Sequence, residues 1–159
     1  MRYCLCMKNN NPIIIHERFM TELADKTKWT RPRAEVQINS AIIFALRMDK
    51  NDKIWQQMLA SWPTDCSVRY EWFESVIAGI KLKTNLYGYD DTYENLYNVL
   101  VHWLDAVDSV KDRKLLILHS CDLSMHKVGE MTGLSRQTAS RRYTNAIDKL
   151  VWKLNHPKD

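Results

Sequence analysis

Gly133 is the residue that most constrains this chain, because it divides residues 128–150 into two helical stretches that must turn against each other. Only glycine takes a positive φ without steric cost, so a helix running into Gly133 can stop and reverse there. Leu134 follows and can drop between the two helices, and Ser135 is placed to cap the second with its hydroxyl. Gly129 is small where two such helices approach closely, and Ala139, Ala146, Ile147 and Leu150 continue an apolar stripe at helical spacing. The run therefore predicts a short helix, a tight turn and a longer helix. With four glycines and four prolines in 159 residues, the rest of the chain also favours long helices over a turn-rich β fold. The expected fold is all-α.

The second helix carries its polar side chains where a groove reader needs them. Arg136, Gln137, Thr138, Ser140 and Arg141 follow the Ser135 cap. Arginine can pair bidentately with guanine and glutamine with adenine, while serine and threonine serve base or phosphate. Val128, Gly129, Gly133 and Leu134 complete the pattern of a helix-turn-helix, whose second helix lies in the DNA major groove. The bland alternative is an ordinary helical hairpin with a solvated basic face. Charge placement favours the first reading. Residues 111–153 carry nine lysines and arginines against four acids, a net of +5, whereas residues 1–110 carry thirteen against fourteen, a net of −1. Positive charge gathered on one module of a neutral body is the footprint of a nucleic-acid binder. Lys127, Arg142 and Lys149 are candidate phosphate contacts.

Residues 128–150 resemble, without a gap, the helix-turn-helix of region four in bacterial sigma factors. The resemblance rests on Val128-Gly129, Gly133-Leu134, Ser135-Arg136, Ala146 and Lys149-Leu150. It implies that Arg136, Gln137 and Arg141 occupy positions that read promoter bases. Two residues depart from that pattern: Gln137 stands where the family usually has an acid, and Arg142 where it has an apolar, inward-facing residue. For Arg142 the expectation is a turn outward to phosphate, with Tyr143 filling the inner site; the alternative is a pair with an acid such as Glu130. More loosely, the whole chain is similar to small phage and prophage DNA-binding proteins with a Ser-Trp-Pro segment, here Ser61-Trp62-Pro63, in the middle.

Before this unit the chain reads as a helical body, residues 1–88, ahead of a four-helix unit at residues 89–159, with Tyr87-Gly88-Tyr89 as the boundary. A first helix is expected over residues 13–26. The basic run 26–33 is either a phosphate-contacting arm or a solvated connector whose Trp29 tucks into the core. Ser40 is the expected cap of a helix over residues 40–48, residues 54–62 form the next, and Pro63 stops it. Residues 67–83 follow, with Tyr70, Trp72 and Phe73 at helical spacing; these are read as core rather than as a platform for bases. Asp91 with Glu94, and then Asp108, are the expected caps of the two helices that lead into the turn.

Catalytic motifs are missing from this reading. Gly79, Gly88, Gly129 and Gly133 are too scattered for a phosphate loop, and the histidines lack metal-ligand spacing. His119, Cys121 and His126 suggest at most a structural cluster, since nothing orients a base. Cys4, Cys6, Cys66 and Cys121 form no paired framework, so reduced thiols in a cytoplasmic protein are expected. No apolar run approaches the ~20 residues of a membrane span. The expected function is a sequence-specific DNA-binding transcription regulator of phage or mobile-element type, with no enzyme activity and no cofactor. Double-stranded DNA is its partner, RNA polymerase a further candidate, and the body supplies self-association or contact with such a partner. Rival readings are a packaging adaptor such as a terminase small subunit, and a sigma-like module that binds transcription proteins.

Overall fold

The computed structural model describes residues 28–49, 51–80 and 92–157, and all regular structure within them is helical. The expected helix over residues 13–26, Cys4, Cys6, Asp91 and the Tyr87-Gly88-Tyr89 boundary lie outside the described residues.

Helix α1 spans Arg31–Arg47, which starts it well before the expected Ser40. Thr30 is the cap: its hydroxyl accepts from Arg33 N (3.4 Å). Pro32 sits in the first turn, where its missing N–H costs nothing. Ser40 is instead buried in mid-helix and donates to Val36 O (2.9 Å), the backbone alternative open to a serine hydroxyl. Helix α2, Lys53–Ser61, matches expectation. Helix α3, Thr64–Ile77, begins directly after Pro63 rather than at residue 67, because a proline that ends one helix can also stand at the cap of the next.

Helix α4, Tyr93–Asn98, is capped by Thr92, whose hydroxyl accepts from Asn95 N (3.1 Å). It runs into a π-helical turn, Val99–Trp103, closed by Leu104 N donating to Val99 O (2.9 Å). Helix α5 spans Val110–Ser120 with Ser109, not Asp108, at the cap position. Helices α6, Met125–Thr132, and α7, Arg136–Asn155, complete the chain.

One core joins α1 and α3 to the helices from α4 to α7. It gathers Ile38 and Ile42 of α1, Tyr70 and Phe73 of α3, Leu96 and Leu100 around the π turn, Leu115 to Leu118 of α5, Val128 of α6, and Ile147 and Leu150 of α7. The expected division at residue 88 therefore does not separate two cores, since α1 and α3 share theirs with the helices that follow. Buried amides reinforce the join. Asn95 and Gln37 exchange hydrogen bonds between α4 and α1 (2.8 and 3.1 Å), and Asn39 of α1 donates to Ser120 O at the end of α5 (2.7 Å). Tyr70 and Phe73 are core, as expected, and Trp72 packs half-buried against it. No helix among the described residues is long and apolar enough to cross a membrane.

Candidate nucleic-acid interface

The turn between α6 and α7 is built from local chemistry. Ser124 caps α6, its hydroxyl accepting from Lys127 N (3.3 Å). Gly133 ends that helix in the left-handed region, φ 68° and ψ 33°, which lets Leu134 N donate to Gly129 O (2.9 Å). Leu134 then packs half-buried against the core. Ser135 caps α7, accepting from Thr138 N (3.2 Å), and its hydroxyl also lies 2.9 Å from that of Thr138. A Cβ on Gly129 would stand 2.6 Å from Leu134 O, so the approach of the two helices at the turn depends on that glycine.

Helix α7 divides into a free half and a held half. In its first turns Arg136, Gln137, Ser140 and Arg141 are exposed. Among the described residues their side chains have no hydrogen-bond or ion-pair partner, and the same holds for Lys149. No acid lies in the first turn, so two guanidinium groups add to the positive end of the helix. On the inner side Ala139, Tyr143, Ala146, Ile147 and Leu150 are buried.

The later turns are clamped. Arg31 of α1 grips Asp148 with a forked pair (2.5 and 2.6 Å). Asn155 accepts from Trp29 N (2.8 Å) and donates to Trp29 O (2.9 Å), while the Trp29 ring stands edge-on to Trp103 at 4.7 Å. On another side Lys153 donates to Ala106 O and lies 3.8 Å from Asp108.

Compared with protein-family models, curated proteins and solved structures, the chain matches none.

The structure corrects the expectation for Arg142. Tyr143 does take the inner position, with its ring against His119 at 4.3 Å. Arg142 is thereby turned to the flank of α7, but it meets protein there. Its Nε donates to Asp112 Oδ1 (2.7 Å) and its Nη2 to Ser109 Oγ (3.1 Å). A partly buried guanidinium is costly without partners, and the start of α5 supplies two. Nor is Glu130 the partner. It faces outward on α6, where Lys127 (3.1 Å) and His126 (3.3 Å) reach it. The Lys127 hydrogen bond, ahead of any other influence, holds the Glu130 carboxyl below its ordinary range. Thus Lys127 is an exposed cation already shared with an acid, and Thr138 is half-buried in the cap.

The clamp residues Trp29, Arg31, Ser109, Asp112 and Asn155 were not evident from the motif. The first four hydrogen-bond to α7 from elsewhere in the chain, and only the acid in the first turn of α5 hinted at an electrostatic role there. Among the described residues no group of three or more His, Cys, Asp and Glu side chains is placed to hold a metal ion.

Proposed function

We propose that this chain is a sequence-specific DNA-binding protein, a transcription regulator of the kind carried by phages and mobile elements, acting in the cytoplasm. One observation carries the reading. The first turns of α7 project Arg136, Gln137, Ser140 and Arg141 into solvent without intramolecular partners, while the rest of that helix is clamped to the body. Side chains that read base edges need this combination of free donors on a rigidly held helix. An ordinary solvated helix face needs no such holding.

In this reading α6 and α7 act as a helix-turn-helix, with α6 across the backbone and the start of α7 in the major groove. Arg136 and Gln137 face base edges, while Arg141, Ser140, Lys149 and, after giving up Glu130, Lys127 serve base or phosphate. Ser135 and Thr138 hold the start of the helix by capping it. One such helix covers few base pairs, so a second copy or a partner such as RNA polymerase is expected to complete a useful site. Selecting bound duplexes from a random DNA pool with the intact chain is the deciding experiment. Enrichment of a defined sequence supports the reading; recovery of an unselected pool, or of no DNA at all, overturns it.

A further inference from the structure

The basic run at residues 26–33 had two readings, an arm that contacts phosphate or a connector anchored by its tryptophan. The structure anchors Trp29 through Asn155 and Trp103, and this anchoring fixes the neighbouring cations beside α7. Arg33 folds over the Trp29 ring, its guanidinium 4.2 Å from the ring and donating to Lys28 O (3.1 Å). Lys28 is exposed, and among the described residues its ammonium has no partner. Arg31 is half-exposed and forks onto Asp148, itself half-exposed. Asp148 is the acid of α7, and the next residue is the exposed Lys149.

We propose that Lys28 and Arg31 form a second contact to the DNA backbone beside α7, with Asp148 holding Arg31 in place until a phosphate takes it over. This rests on reading α7 as a DNA-binding helix. Twenty residues make α7 about 30 Å long, while the major groove is only about 12 Å wide, so its later turns extend over the phosphates that flank the groove. An acid on that stretch would repel phosphate unless neutralised, and Arg31 neutralises it. The fork that grips a carboxylate through two N–H groups grips a phosphate in the same way. An ion pair exposed on both sides contributes little to stability, and Asn155 and Arg142 still tie α7 to the body when Arg31 lets go, so exchanging one anion for the other disturbs the fold little. The first turn of α1 contains no acid to compete with the incoming phosphate for Arg31, and Glu35, one turn on, is half-buried and acts on Arg31 only through space.

The test uses the intact chain and a fluorescent duplex of mixed sequence, about 30 base pairs long, titrated at several salt concentrations. Each phosphate neutralised adds roughly 0.9 to the slope of log affinity against log salt. The Lys28→Gln/Arg31→Gln variant should therefore lose about two from the slope, and Lys28→Gln alone about one. Because Lys28 holds no partner, the single variant keeps the question open to refutation even if the double variant folds poorly. Asp148→Asn should bind more tightly than the unsubstituted chain, since it removes a repelling charge and frees Arg31. A wild-type slope in Lys28→Gln and in a folded double variant, or weaker binding by Asp148→Asn, overturns the proposal and leaves α7 as the whole interface. If the unsubstituted chain binds no duplex at any salt concentration, the DNA reading itself fails.

Discussion

Arg142 Nε lies 2.7 Å from Asp112 Oδ1, so the longest helix among the described residues is tied to the first turn of α5 by a side chain from the middle of its basic run. Arg142 and Asp112 are both largely sheltered, and the Ser109 hydroxyl takes a second donor from the same guanidinium. Removing a hydrogen-bonded charge that leaves its partner unsatisfied costs more than an exposed pair contributes. Arg142→Ala should therefore lower stability by on the order of 2 kcal/mol. In a chain of this length that corresponds to a melting point lower by about 4–8 °C. Asp112→Ala should do the same, and the double variant should lose less than the sum. The salt slope of DNA binding should stay as it was. A melting point that holds while the slope drops by about one would make Arg142 a phosphate contact after all.

The two glycines of the turn should fail for different reasons. Gly133 has φ 68° with nothing within 4 Å of an added Cβ, so Gly133→Ala is penalised by backbone conformation alone, about 1–2 kcal/mol. Gly133→Asn should recover part of that loss. Gly129→Ala brings its methyl against the Leu134 carbonyl, which is backbone and cannot swing away, so the turn itself must shift. Urea unfolding should rank Gly129→Ala as the less stable of the two alanine variants. The reverse order would mean that the turn relaxes around a methyl at 129.

The turn was legible because every signal for it is local. A glycine that needs positive φ, a serine that caps three residues ahead and a small residue at the close approach are all decided within residues 128–138. The clamp was not legible for the opposite reason. Arg31 and Asp148 stand 117 positions apart, and Arg142 and Asp112 stand 30 apart, so no periodicity joins them. The start of α1 was misread because a serine hydroxyl can either cap a helix or bond back to the preceding turn. Ser40 does the second, and Thr30 does the first. The all-α class followed from composition and spacing, but the single core did not, since it depends on α1 lying against α4, α5 and α7.

That shared core makes an expectation about cooperativity. Ile38 on α1 and Ile147 on α7 are both fully buried. Truncating either to alanine should cost about 2–5 kcal/mol through lost burial and the cavity left behind. If the halves fold as one, each variant should shift one transition that coincides by circular dichroism and tryptophan fluorescence. Two separable transitions, each answering to one isoleucine, would restore the division near residue 88. A chain beginning at residue 92 should be unfolded or aggregated, because the faces α1 covers would be exposed.

Alkaline pH should weaken the fold. Burial pushes the Cys121 thiol from 9.0 up to about 12. The Tyr70 hydroxyl rises from 10.0 to about 12, first through burial and then through the nearby Glu74 carboxylate. Between the lower and upper values the native chain holds protons that the unfolded chain has released, so stability is full below pH 9 and falls as pH climbs toward 12. The urea midpoint should decline between about pH 9 and pH 11, and Cys121→Ala should flatten part of that decline. A midpoint that stays level across the interval would show that neither group is shielded as the fold implies.

Arg136 and Gln137 bear most directly on what the protein reads. They are the first two residues of α7, they are exposed, and Ser135 holds the start of their helix in place. Gln137 has no charge to offer phosphate, and its amide can donate to and accept from a single base at once, for which adenine presents the matching set in the major groove. Arg136 has both options, guanine or phosphate. On the selected site Gln137→Ala and Arg136→Ala should each cost on the order of 1–3 kcal/mol, while on a scrambled duplex Gln137→Ala should cost almost nothing. Arg136→Ala should follow Gln137→Ala if it reads a base, or weaken both duplexes alike if it meets phosphate. Titrations of each variant on both duplexes separate these outcomes. Equal losses for Gln137→Ala on cognate and scrambled DNA would remove base readout from the start of α7, leaving a helix that binds DNA without choosing among sequences.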